Sequence, residues 1–185
     1  GTAMVLTTAK VLSEFDSRRT MVFCLWSSEE EGLWGSSAWV EAHQDQLRDH
    51  LRLYVNLDMN HVDIDFETRG NSVSLFSNNK EDLDHIKAIS EKYKKERSSV
   101  ASKYTINFNL LDGPKGAENG MPFNSDHGPF VYNLGDGKEG RAVVCYGSGS
   151  WEYHTYADSL SRFNEESLSV SGTIYGTYLR FLAEV

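Results

Sequence analysis

The strongest constraint on the fold is a repeated alternation between short apolar runs and amphipathic stretches. Residues 20–26 (TMVFCLW), 51–59 (LRLYVNLDM), 72–77 (SVSLFS), 105–111 (TINFNLL) and 141–147 (RAVVCYG) have strand length and are rich in β-branched and aromatic side chains. Helical spacing separates them. Val5, Ala9, Leu12 and Phe15 form a stripe over 2–15, residues 32–47 read as a second helix, and 80–97 place Leu83, Ile86, Ile89 and Tyr93 on one face. In that last helix the acids come early and the lysines late, as the helix dipole prefers. A short helix is predicted around 129–133 and a closing one over 165–183. Continuously apolar strands alternating with helices predict an α/β fold: a three-layer sandwich with a largely parallel central sheet flanked by helices. With 185 residues, no repeat and no linker, residues 1–185 read as a single domain.

Charge narrows the partners. A net charge of −9 argues against nucleic-acid binding, which needs a basic patch. No apolar run approaches the length of a membrane span, no signal peptide opens the chain and no Asn-x-Ser/Thr sequon occurs, so the compartment stays unknown. Cys24 and Cys145 both fall in predicted core strands and read as small buried hydrophobes.

One stretch does not suit an ordinary sheet protein. WSSEEEGLWGSS (26–37) puts Glu29, Glu30 and Glu31 at the end of the run 20–26. Like charges side by side repel, and burial makes them costly unless a cation or hydrogen bonds compensate. Asp58 ends the next run, and ligands of parallel sheets gather beyond the carboxyl ends of strands. Strand-end carboxylates and a late histidine are hard and borderline metal ligands. Zinc accepts both, and a neighbouring carboxylate left unbound can take a proton from water. The competing reading is a solvated helix N-terminus for the glutamates, and an ordinary loop acid for Asp58.

The stretch W-S-S-E-E-E-G-L-W-G-S resembles the Glu-Glu-x-Gly-Leu-x-Gly-Ser signature of the co-catalytic di-zinc exopeptidases. That family includes bacterial secreted aminopeptidases, glutamate carboxypeptidase and the non-catalytic transferrin receptor. YVNLDM (54–59) resembles its Asn-x-Asp segment, YHTYADSL (153–160) its His-Thr-x-x-Asp segment, and SDHGPF (125–130) a further one, all in family order. The resemblance implies Glu29 as catalytic base and Glu30, Asp58 and His154 as zinc ligands. It also implies Tyr153 as an oxyanion-binding group and Asp158 as a cap or support beside His154. Two zinc ions about 3.5–4 Å apart are expected in such a site, acting on peptides with a free terminus.

The same resemblance calls for an earlier His-x-Asp histidine and a bridging aspartate, and GTAMVLTTAKVL looks like the helix that follows the latter. The chain is therefore expected to be an N-terminally truncated portion of a peptidase-like domain, holding at most one zinc, weakly. Its exposed sheet edge suggests self-association. HVD at 61–63 mimics the early motif in the wrong place and reads as a surface loop. His127 in SDHGPF is set aside as a triad member, because triads are assembled across distant segments. GPKGAENG (113–120) lacks the ending of a phosphate loop and reads as a flexible loop bordering the cleft. Aminopeptidase action is slightly preferred to carboxypeptidase action. A non-catalytic peptidase-like binding module is the alternative, and a glutaminyl-cyclase-like activity a distant third.

Overall fold

Four of the apolar runs pair into one sheet. In the computed structural model, which describes residues 1–60, 62, 71–147 and 152–184, the strands are β1 (Tyr54–Asn56), β2 (Ser72–Ser77), β3 (Thr105–Leu110) and β4 (Ala142–Gly147), in the order β1-β4-β2-β3. β1 runs parallel to β4 and β2 parallel to β3, while β2 and β4 are antiparallel. The helices are α1 (Thr2–Leu12), α2 (Trp34–Ala42), α3 (Gln44–His50), α4 (Lys80–Glu96), α5 (Ser98–Ala101), α6 (His127–Tyr132) and α7 (Glu165–Ala183).

β4 shows why the sheet has two covered faces. Its alternate side chains point opposite ways. Val143 and Cys145 join a core with Ile86 and Tyr93 of α4 and Val170, Ile174 and Tyr175 of α7. Ala142 and Val144 join another with Met121 and with Val131 of α6. Every residue of the run must then be apolar, and each fully buried aliphatic side chain stabilises by about 1.5–3 kcal/mol. The result is the expected three-layer, mostly parallel α/β arrangement.

The best-signalled helix forms as its sequence demands. Asn79 caps α4, its side chain accepting from the amides of Glu81 (3.0 Å) and Asp82 (3.2 Å), a cap worth about 1 kcal/mol. Leu83, Ile86 and Tyr93 are buried, and Ile89 packs against the same core. Asn164 caps α7 in the same way through the Ser167 amide.

Four expectations need correction. Residues 20–26 are extended but join no strand pair among the described residues, and Val22, Phe23 and Leu25 are exposed. This segment and β1 both line an open apolar cleft of about 720 Å³. A strand needs a neighbouring backbone for its ladder, and here the cleft takes that place. Cys24 is accordingly only half-buried, unlike Cys145. The 32–47 helix breaks at His43, whose ring stacks on Trp39 at 4.2 Å and whose Nδ1 lies 2.8 Å from the Trp39 carbonyl. α1 ends at Leu12 and buries Met4, Thr8 and Leu12 rather than the Val5–Ala9 side. The Met4 side chain packs against Gly172 of α7, where a Cβ would lie 2.6 Å from Met4 Cε.

Candidate active site

Because β1 and β4 are parallel, their carboxyl ends open on the same side of the sheet, and the Gly147 amide donates to the Met59 carbonyl at 2.7 Å to tie them. Asp58 lies two residues beyond β1. The glutamate loop arrives from the other direction, held by its own backbone. The Glu29 carbonyl accepts from the Gly32 and Leu33 amides at 3.1 and 2.9 Å, and the Ser27 carbonyl accepts from Gly35 at 3.1 Å. A Cβ on Gly35 would fall 2.6 Å from that Ser27 oxygen. The glycines of EEEGLWG thus let α2 start hard against the loop that carries the acids.

Non-glycine residues in the left-handed region cluster here. Ser28 (φ 56°), Leu33 (φ 60°), Met59 (φ 47°) and His154 (φ 57°) flank or belong to the acidic group. Each costs of order 1–3 kcal/mol, and such strain concentrates at functional sites.

The closest contact of the group joins chain segments far apart in sequence. His154 Nε2 donates to Glu30 Oε1 at 2.6 Å, and the Tyr153 ring stacks on the imidazole with centroids 3.9 Å apart. The short segment carrying them is pinned by Glu152, which is buried and accepts from Arg162 Nε at 2.5 Å. Glu29 stands beside this pair. Burial raises its proton affinity first, and the charges of Asp58, Glu30 and Asp126 raise it further, with only His154 opposing. Burial likewise raises Asp126, and Asp58 adds to it. Burial and then Glu30, Asp58 and Glu29 raise Tyr153. The end of the sheet is therefore a concentration of negative charge.

Asp58 is held separately. Ser125 Oγ donates to its Oδ2 at 2.9 Å, and Asn56 Nδ2 donates to Ser125 Oγ at 3.0 Å. Among the described residues, no three His, Cys, Asp or Glu side chains converge into a ready-made metal group. The structure brings Glu30 to His154 and places Glu29 within reach of the charges of both Asp58 and Glu30, but it does not close Asp58 onto the Glu30–His154 pair. Asp158 is exposed. Its amide bonds the Thr155 carbonyl at 3.2 Å, and no described contact links its carboxylate to His154. His61 and Asp63 lie outside the described residues.

The SDHGPF and YVNLDM segments contribute three further residues to this end, Ser125, Asp126 and Asn56, to which the sequence alone assigns no role. The available signal was the spacing of two between Asn56 and Asp58, which puts both on one side of an extended chain. His127 is buried, pushed down to about 4 by burial, and its Nε2 donates to the Pro122 carbonyl at 2.6 Å. Its tautomer is spent on that carbonyl. The 113–120 loop folds back on itself through the Gly113 amide and Asn119 carbonyl (2.9 Å), with Lys115 4.8 Å over the Phe123 ring.

Paired carboxylates, an imidazole and a tyrosine thus gather beyond the strand ends of a mostly parallel α/β sheet. Residues 1–178 match the family described as Peptidase family M28, and the chain belongs to that family. A probable glutamate carboxypeptidase of Zea mays, VP8, is 25% identical over 166 residues, covering 87% of this chain and 22% of that protein. Leucine aminopeptidase 2 of Arthroderma otae is 37% identical over 59 residues, covering 32% of this chain and 12% of that one. The crystal structure of the Legionella pneumophila LapA aminopeptidase superposes with a TM-score of 0.67 at 17% identity, covering 98% of this chain and 45% of that chain. That likeness establishes the fold. The chain thus spans about a fifth or less of these curated relatives and under half of the solved neighbour. Among the described residues, no helix is long and apolar enough to cross a membrane.

Proposed function

We propose that this chain carries the strand-end part of a zinc-dependent exopeptidase site, acting on a terminal peptide bond, with aminopeptidase action slightly preferred. The observation that carries the reading is the Glu30–His154 contact at 2.6 Å, made across the sheet end beside a Glu29 of raised proton affinity. The donors suit zinc by type: two carboxylates and one imidazole. Glu30, Asp58 and His154 would hold the ion, which when bound supplies Lewis-acid polarisation of the scissile carbonyl and an acidified water.

Glu29 is the general base. It takes the proton of the attacking water and returns it to the leaving amine, a double duty suited to a carboxyl whose affinity for protons is raised. Tyr153 Oη donates to the oxyanion that develops at the carbonyl. Asp158 supports the loop bearing His154 through its backbone amide on the Thr155 carbonyl. The expected substrates are peptides with a free terminus.

A second reading, a non-catalytic peptide-binding module, draws support from the hydrogen bond that keeps Asp58 on Ser125 and from the absence, among the described residues, of a preassembled ligand triad. Hydrolysis of aminoacyl anilides and of acylated dipeptides, with zinc present, separates the two. The peptidase reading expects turnover that falls at least about 100-fold in Glu29→Gln while zinc is retained. Peptide binding without turnover in either protein would favour the module.

A further inference from the structure

We infer that the apolar cleft between residues 20–26 and β1 receives a strand, and that its occupant is the 20–26 segment of a second copy of this chain. The cleft has two unpaired backbone edges. β1 is the last strand of its sheet, with β4 on one side and the cleft on the other. Residues 20–26 are extended, and among the described residues no backbone hydrogen bond reaches them. Such edges are templates for a further strand. The segment is also held at both ends. The Arg18 amide donates to the Ala183 carbonyl at 3.0 Å, and Trp26 Nε1 donates to Tyr54 Oη at 3.0 Å.

Size and walls define what fits. A residue in a packed sheet takes up about 160 Å³, from about 3.3 Å of rise, 4.8 Å of strand spacing and 10 Å of sheet separation, so the cleft of about 720 Å³ holds about four to five residues of one strand. Leu179 and Leu182 of α7 line one side of it, and Trp39 of α2 and Leu47 of α3 the other. A strand covered on both faces must be apolar at successive positions. TMVFCLW meets that demand, and Val22, Phe23 and Leu25 are exposed in the single chain. The other apolar runs of strand length are already paired in the sheet.

A two-fold axis between the two 20–26 segments satisfies both copies at once. The strand order becomes β1, the second copy's segment, the first copy's segment, then the second copy's β1. Each segment fills the other copy's cleft, so the contact is isologous and closed. Neighbouring segments related in this way run antiparallel. Arg18 and Arg19 of each copy then approach Glu29, Glu30 and Glu31 of the other. The Arg18 and Glu30 side chains are 80% and 68% exposed, so this charge complementarity is open to a second copy.

Analytical ultracentrifugation of the 185-residue chain over a concentration series, with hydrogen exchange read at the amides of 20–26, tests the inference. A dimer with those amides protected is expected, the mass halving and the protection vanishing on dilution. The double variant Val22→Lys with Leu25→Lys is expected to be monomeric with an unchanged circular dichroism spectrum, because both side chains are exposed in the single chain. Leu160→Lys, at an exposed apolar residue elsewhere on the surface, should leave the dimer intact. A monomeric wild-type chain overturns the inference, as does association that continues beyond the dimer. A dimer whose 20–26 amides exchange freely, or one that survives the double variant, overturns it equally. No step involves zinc or the acidic group's chemistry, so failure here leaves the peptidase reading untouched.

Discussion

Two acidic centres lie at opposite ends of the same sheet and are treated in opposite ways. At the amino end of β4, Asp82 is fully buried and surrounded by partners. Arg141 donates to it through Nε (2.8 Å) and Nη2 (2.6 Å), the Tyr178 hydroxyl donates at 2.5 Å, and Arg52 stands 3.9 Å away. At the carboxyl end, Glu29, Glu30, Asp58 and Asp126 gather with an imidazole that bonds Glu30 alone among them, and burial first and then charge repulsion raise Glu29. The first centre joins α4, α7 and the sheet, and its counterions are built into the fold. The second carries a surplus of negative charge on strained backbone. The fold supplies every partner of the buried carboxylate at one end, whereas at the other Glu30 and His154 stay exposed, and under the proposed zinc reading that end takes its counterion from outside.

The largest effect is expected at the satisfied end. Arg141→Ala would leave Asp82 buried with its main partner gone, costing about 3–5 kcal/mol in urea unfolding. Asp58→Asn at the other end should leave stability unchanged or raise it. Equal losses from both would erase the distinction.

Acid acts in opposite senses on two groups of the carboxyl end itself. His127 has a folded pKa of about 4, against about 6.5 unfolded. The unfolded chain therefore binds more protons between those values, and stability falls as pH drops from about 6.5 toward 4, by up to about 3 kcal/mol. Urea midpoints at the two ends of that window should converge in His127→Gln, whose amide can still donate to the Pro122 carbonyl. Glu29 works in the reverse sense. Its raised affinity means that the folded chain gains protons there, so acidification relieves repulsion.

The smallest effect follows from that relief. Glu29→Gln should stabilise the zinc-free chain at neutral pH by about 0.5–1 kcal/mol, a cost that natural proteins accept at functional sites. Thermal unfolding with and without zinc would show it. Destabilisation by this substitution in the zinc-free chain would mean that Glu29 has a structural partner.

Much of this was legible in the sequence, for physical reasons that can be named. α4 carried its own instructions in Asn79, the early acids and the stripe from Leu83 to Tyr93. β4 was continuous and apolar because both its faces are covered. Residues 20–26 have a similar composition yet form no ladder among the described residues, because a strand is a property of two backbones and composition reports only one. At the site, the resemblance carried by EEEGLWGS, YVNLDM and YHTYADSL brought Glu29, Glu30, Asp58 and His154 to notice. It could not show that Glu30 meets His154 across 124 positions, or that Ser125 holds Asp58 across 67. Such bonds depend on how the loops close, and neither hydrophobic period nor charge pattern encodes that.

The most direct measurement is the zinc retained by the chain after equilibration with the metal and desalting, beside Glu30→Ala and His154→Ala. The account predicts that the wild-type chain keeps zinc and that both variants lose it, with the Asp82 centre and the fold untouched in each. Equal retention in all three proteins, or none in the wild-type chain, would contradict a cation site at this end of the sheet.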